Sequence, residues 1–281
     1  GINMTEISTD IVNNTIIKRP NNSHKGTFGR VGIIGGTNNF GGAIIMASKS
    51  CVYSGAGLTT TFTDQVNLSS LHTHIPEAMF VDFNDLDSIK SMINGFDVVL
   101  IGPGLGTDEN SLTILKTVFN NIQPTQKLII DGSAITLIAN HNLSLPDAKL
   151  IFTPHQMEWQ RLSGIKIDDQ TDENNKKAVK QLNATVVVKS HHTKVYYNDD
   201  IWTNPGGTPA QATGGMGDTL AGMVAGFVAQ FSDTTNAVLS AVYAHSAIAD
   251  KLAENQYVVL PTQIIEHIPE FMKANEKKTE S

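Results

Sequence analysis

The 281-residue chain contains one cysteine, Cys51, so it forms no internal disulfide and a reducing compartment is its natural setting. Basic charge is also scarce: 20 Lys and Arg stand against 27 Asp and Glu, a formal net charge of −7. A broad nucleic-acid or anionic-membrane surface needs a basic excess, and this composition excludes one. No apolar run approaches the roughly 20 residues of a membrane span. No signal-peptide pattern opens the chain either, so no membrane or nucleic-acid partner is expected and the setting is read as cytoplasmic. Gly1-Ile2-Asn3 ahead of Met4 reads as an expression remnant. Neither a GxGxxG fingerprint nor a GxxxxGK[ST] phosphate loop occurs, which disfavours a nicotinamide oxidoreductase and a P-loop enzyme.

What the chain does have is a globular composition, 40% hydrophobic and 17% charged, with 23 glycines. Residues 4–27 are polar and weakly periodic and read as a short leading segment followed by a loop. β-rich runs then follow at 30–35, 58–63, 98–102, 128–131, 150–153 and 184–189. Helix-period stretches lie among them at 43–54, 109–121, 135–140, 155–162 and 172–182. Such alternation predicts an α/β fold with a mostly parallel sheet between two helical layers. Residues 195–203 read as a small hairpin turning on Asn198-Asp199-Asp200. From Asp218 onward the chain is helical, with Leu220, Val224, Phe227, Val228 and Phe231 on one stripe. Further helices are expected at 234–255, capped by Asp233, and at 262–274. One domain over 4–275, with a free tail at 276–281, accounts for the pattern.

Four glycine-bearing loops follow strands or open helices: 35–43, 102–106, 204–208 and 213–218. Each alone is an ordinary βα turn, but a glycine-rich turn at a helix mouth aims free N–H groups and the positive dipole end at an anion. The fourth carries the chemistry. Asp218 follows Gly214, Gly215, Met216 and Gly217, which sets a carboxylate beside an anion hole. Backbone N–H groups there would neutralise a moving phosphoryl group while the carboxylate accepts the proton of an attacking hydroxyl. The adjacent His191 and His192, read as an extended segment pointing to opposite faces, make a poor joint metal site, and no dedicated metal cage is visible.

Gly214-Gly215-Met216-Gly217-Asp218 resembles the GxGD motif of the ribokinase-like superfamily. His24-Lys25-Gly26-Thr27-Phe28-Gly29, Gly41-Gly42-Ala43, Gly102-Pro103-Gly104-Leu105-Gly106, Thr153-Pro154-His155 with Glu158, and Asn204-Pro205 are similar, in order, to the signatures of ADP-dependent NAD(P)H-hydrate dehydratases. These are the stand-alone form of the carboxyl-terminal domain of bifunctional nicotinamide-nucleotide repair proteins. The resemblance implies a ribokinase-like three-layer α/β/α sandwich. It also implies metabolite repair: the S epimer of hydrated NADH or NADPH is phosphorylated on its ring hydroxyl by ADP, and phosphate is then eliminated. Asp218 would be the catalytic base. Ala43, Gly104, His155 and Asp218 would contact the hydrated dinucleotide, and Lys189, Ser190, His191, His192, Thr193 and Gly217 the nucleotide. Mg²⁺ held mainly by phosphates is expected, with ADP or ATP as co-substrate and a homo-oligomer, a tetramer among the assemblies, as the quaternary state. Ser190 stands where the family usually has Gly, Gln211 where it has Met, Thr208 where it has Asn, and Gly132 where it commonly has Ala. Two other readings stay open from the residues: a ribokinase-like kinase of a vitamin precursor or sugar, and a non-catalytic adenine-nucleotide sensor.

Overall fold

β-Branched and aliphatic runs build the strands of the computed structural model, which describes residues 4–208 and 213–278. The strands are β1 (Met4–Glu6), β2 (Arg30–Ile34), β3 (Leu58–Thr63), β4 (Met79–Asp82) and β5 (Val98–Ile101). They continue as β6 (Lys127–Ile130), β7 (Lys149–Phe152), β8 (Thr185–Val188), β9 (Lys194–Tyr197) and β10 (Asp200–Thr203). Among the described residues they make one ten-stranded sheet in the order β1-β10-β9-β8-β7-β6-β5-β2-β3-β4. From β8 to β4 all neighbours are parallel, whereas β9 runs antiparallel to both β8 and β10. The β9–β10 hairpin turns through Asn198, at φ +54°.

The helices are α1 (Thr9–Thr15), α2 (Gly41–Tyr53), α3 (Leu68–His74), α4 (Leu86–Met92), α5 (Glu109–Asn121) and α6 (Ser133–His141). After them come α7 (Gln156–Ser163), α8 (Asp172–Leu182), α9 (Met216–Gln230), α10 (Thr234–Ala253), α11 (Pro261–Glu266) and α12 (Ile268–Asn275). They cover both faces of the sheet, as β5 illustrates. Val98 and Leu100 join the core of Ile44, Val224 and Phe227, while Val99 and Ile101 join that of Ile114, Val118 and Ile135. Cys51 is buried in the first core, and burial pushes its thiol up to about 12.

Several elements depart from expectation. Residues 4–27 hold β1 and α1, and residues 64–97 hold α3, β4 and α4. These are three to seven residues long, too short for a clear periodic signal. The single stripe on α9 is corrected: residues 219–228 are buried without interruption, because the helix is wrapped by the sheet, α2 and α10. Gly222 and Gly226 allow this closeness. A Cβ on Gly226 would lie 2.7 Å from Ser54 Cβ, and one on Gly222 would collide with the Ala47 carbonyl of α2. The helix expected at 262–274 divides at His267, with Pro269 in the first turn of α12. Lys277 N–H donates to the Ile16 carbonyl at 2.6 Å, tying the start of the expected free tail to the fold. Residues 1–3, Gln211 and 279–281 lie outside the described residues.

Chain order reverses between β2 and β5. From β2 the chain moves outward to β3 and β4, then returns to place β5 on the other side. The loops after β2 and β5 lie side by side there, joined by Gly36 N–H to the Pro103 carbonyl at 2.9 Å, at the carboxyl ends of the strands where such sheets form their ligand crevice.

Candidate active site

Asp218 occupies the first turn of α9, and the backbone before it accounts for the glycines. Gly215, the N-cap, sits at φ +94°, and a Cβ there would lie 2.6 Å from Met46 Cε of α2. The first bond of the helix runs from Thr219 N–H to the Gly215 carbonyl at 3.0 Å. The N–H groups of Met216, Gly217 and Asp218 precede that ladder and face the helix mouth, with Gly214 exposed just before it.

Lys189 approaches the same mouth. A Cβ on Gly217 would stand 2.8 Å from Lys189 Nζ, so the glycine makes room for the ammonium. Lys189 is positioned at the end of β8 by its own N–H, which donates to the Pro154 carbonyl at 2.9 Å. Its Nζ is 3.4 Å from Asp131 Oδ1, and Asp131 also accepts from Thr153 Oγ1 at 2.7 Å. Glu158 completes the wall. His155 is the N-cap of α7: its Nδ1 accepts from Glu158 N–H at 3.1 Å, and Glu158 Oε1 accepts from His155 N–H at 3.0 Å. The imidazole reaches outward with 53% of its side chain exposed, while Glu158 turns inward at 8%.

Three carboxylates therefore share one low-dielectric wall with one lysine. Burial first, then the Asp131 and Glu158 charges, push the Asp218 carboxyl up to about 7 against the opposing pull of Lys189. Glu158 is likewise raised, first by burial and then by Asp131, against the opposing pull of the His155 N–H, Lys189 and the His155 ring. Among the described residues no group of three or more His, Cys, Asp or Glu is arranged to hold a metal ion. The acidic excess of Asp131, Glu158 and Asp218 still suits a divalent cation carried mainly by phosphates, as Mg²⁺ is.

The loops after β2 and β5 meet directly. Gly104, at φ +61°, leaves no Cβ, which would otherwise lie 3.0 Å from Ala43 Cβ and 2.7 Å from the Phe40 carbonyl. Ala43 is in the first turn of α2, and Met46, one turn on, packs against Gly215. Ala43, Gly104, the 214–217 mouth, Asp218 and Lys189 thus border one crevice. Ser190, His191 and His192 are exposed beyond Lys189. The reading of His191-His192 as extended is corrected: the pair forms a turn, and the two rings lie 4.3 Å apart. Ser190 Oγ donates to the His192 carbonyl at 2.9 Å and closes that turn, and the Thr193 carbonyl accepts from Asn204 N–H at 2.9 Å. Among the described residues Thr208 Oγ1 is buried without a hydrogen-bond partner.

Sequence reasoning passed over Asp131 and His245 and left Glu158 as a motif position only. Asp131 carried a signal, an acid at the carboxyl end of a buried strand. His245 carried none, because it sits mid-helix in α10 among small apolar residues. It is 8% exposed, and among the described residues its Nε2 has no hydrogen-bond partner. Burial, then the neighbouring Lys189 charge, push its ring down to about 4 despite a hydrogen bond with the Met216 backbone, so it stays neutral.

A glycine-lined helix mouth with a first-turn aspartate, on a sheet of this order, is the arrangement of the ribokinase-like class. A ribokinase-like superfamily protein from Enterococcus faecalis has a TM-score of 0.96 and 48% identity, covering 98% of this chain and 97% of its own. Within that class the profile described as NAD(P)H-hydrate dehydratase matches residues 31–270, and the chain belongs to that family. An ADP-dependent (S)-NAD(P)H-hydrate dehydratase of Lactiplantibacillus plantarum is 56% identical over 96% of this chain and 97% of its own. The solved ADP/ATP-dependent NAD(P)H-hydrate dehydratase of Bacillus subtilis, co-crystallised with ATP and Mg²⁺, has a TM-score of 0.87 and 27% identity, covering 98% of this chain and all of its own (100%).

Proposed function

We propose that this chain restores hydrated NADH and NADPH, using ADP to drive the loss of water. The observation that carries the reading is Asp218 at a glycine-lined helix mouth, with Lys189 held against Gly217. Asp218, as carboxylate, takes the proton of the ring hydroxyl while that oxygen attacks the terminal phosphorus of ADP. A new P–O bond forms, the bond to the bridging oxygen breaks, and AMP leaves. Lys189 and the N–H groups at residues 216–218 stabilise the transferring phosphoryl oxygens. The ring C–O bond then breaks, phosphate departs with the electron pair, and loss of the adjacent C–H proton restores the double bond. Phosphate is a far better leaving group than hydroxide, which explains a kinase-like site in a dehydratase.

Mg²⁺ bound to the nucleotide would neutralise phosphate charge, and Asp131 and Glu158, which share the wall with Asp218, would be the residues to accept hydrogen bonds from its waters. On this reading 189–193 and Gly217 hold the nucleotide, while Ala43, Gly104 and His155 touch the dinucleotide. ADP is the co-substrate, and ATP is an alternative donor through the same phosphate contacts. Among the described residues no helix is long and apolar enough to cross a membrane; the single, buried Cys51 supports a reducing, cytoplasmic setting. We also read the chain as a homo-oligomer, supported by the exposed apolar run Tyr257, Val258 and Leu260 ahead of α11. Incubation with hydrated NADH, ADP and Mg²⁺ tests the function. Return of the NADH absorbance band with equal release of AMP and phosphate supports it. A stable phosphorylated alcohol, with no return of the band, would place the chain among kinases instead.

A further inference from the structure

Phe40 is the wrong residue for its local structure. It is the N-cap of α2, a position where Ser, Thr, Asp or Asn would satisfy a free N–H group, and its side chain makes no capping bond. The residue is instead 57% exposed. A single exposed phenylalanine is ordinary, but the backbone beneath this one is firmly held. Phe40 N–H donates to the Thr37 carbonyl at 2.9 Å, and its own carbonyl accepts from Ala43 N–H at 3.2 Å. Thr37 N–H donates to the Gly104 carbonyl at 2.8 Å. A Cβ on Gly104 would lie 2.9 Å from Phe40 Cβ, so only glycine there lets the two loops close beneath the ring. An exposed aromatic face on a braced backbone, at the edge of the crevice, is what a stacking surface requires.

We propose that the Phe40 ring is a stacking platform for a base of the hydrated dinucleotide. This rests on the dinucleotide reading of the Ala43 and Gly104 loops and adds a specificity residue to it. The uncapped N–H groups of α2 lie just past Phe40, so a pyrophosphate at that mouth would leave one base within reach of the ring. Aromatic stacking accepts any flat base, and the adenine stays flat in substrate and product alike.

The test compares the wild type with Phe40→Ala, Phe40→Leu and Phe40→Tyr for turnover of hydrated NADH and for quenching of bound NADH fluorescence. Cutting a stacking ring back to alanine costs about tenfold to a hundredfold in affinity. Phe40→Ala and Phe40→Leu should therefore raise KM for the hydrate and Kd for NADH about tenfold or more. The KM for ADP and the melting temperature should stay near wild type, and Phe40→Tyr should restore binding. Because Phe40→Leu keeps the apolar bulk, it isolates the aromatic face even if Phe40→Ala folds poorly. Reduced nicotinamide mononucleotide and ADP-ribose, titrated separately, identify the stacked base by which of them loses affinity in the variants. A hydrate KM within twofold of wild type in Phe40→Ala and Phe40→Leu, or an equal rise in the ADP KM, overturns the inference. A wild type that neither turns over the hydrate nor binds NADH overturns the proposed function instead.

Discussion

In the proposed mechanism Asp218 acts only as a carboxylate, yet its surroundings favour the protonated acid. Its pKa of about 7 predicts a free-enzyme rate profile rising with pH through that value on the acidic limb, measured as the turnover rate with hydrate and ADP both well below their KM. The same shift has a stability consequence. The folded value lies above the unfolded 3.8, so the folded state gains from the bound proton at low pH and loses that gain as pH rises through about 7. Asp218→Asn should melt above wild type at pH 8 and level with it near pH 3, while turnover falls by roughly a hundredfold to ten-thousandfold. Gly217→Ala separates positioning from folding. Its Cβ would stand 2.8 Å from Lys189 Nζ, the far end of a flexible side chain. Melting should be unchanged, whereas KM for ADP should rise and kcat fall; a parent-like ADP KM would remove Lys189 from the phosphate site. Asp218 and its glycines were legible because mouth and acid are contiguous in the chain. His245 was not, and Asp131 showed only as an acid ending a buried strand, because the fold alone brings them to Lys189.

Among the elements, α2 and α9 bear most directly on the site, since their mouths border the crevice and their bodies touch along two glycines. Gly222→Ala puts a methyl group against the Ala47 carbonyl and Ser50 Oγ. It should destabilise the protein by about 1–3 kcal/mol, read by urea unfolding at unchanged m-value. Helix propensity alone predicts the opposite sign. That contrast also explains what the α9 sequence hid. A helix buried on all sides by close backbone approach is rich in Gly and Ala, and its few large residues imitate a stripe. The β5 and β6 runs were readable because both of their faces are apolar. β1 and β4 were not, since both are short, β1 is exposed along its whole length and β4 is only half-buried.

For the whole molecule, the alternation of strands and helices was enough to fix the layers, and the glycine loops pointed to the right end of the sheet. The −7 charge, by contrast, bore on surfaces and not on a pocket. Phosphates can be bound by helix mouths and one lysine within an acidic protein. The exposed Tyr257, Val258 and Leu260 predict self-association: light scattering should give a multiple of 30.3 kDa, and Tyr257→Glu should reduce it. A monomeric wild type would remove the oligomer from the account.

The central claim is that the ring hydroxyl itself is phosphorylated before it leaves. Hydrated NADH carrying heavy oxygen in that hydroxyl, turned over with ADP in ordinary water, tests it most directly. The account predicts one heavy oxygen in every phosphate released and none in AMP. Unlabelled phosphate, with the heavy oxygen found in water, would show that ADP hydrolysis and dehydration proceed separately, and would contradict the account.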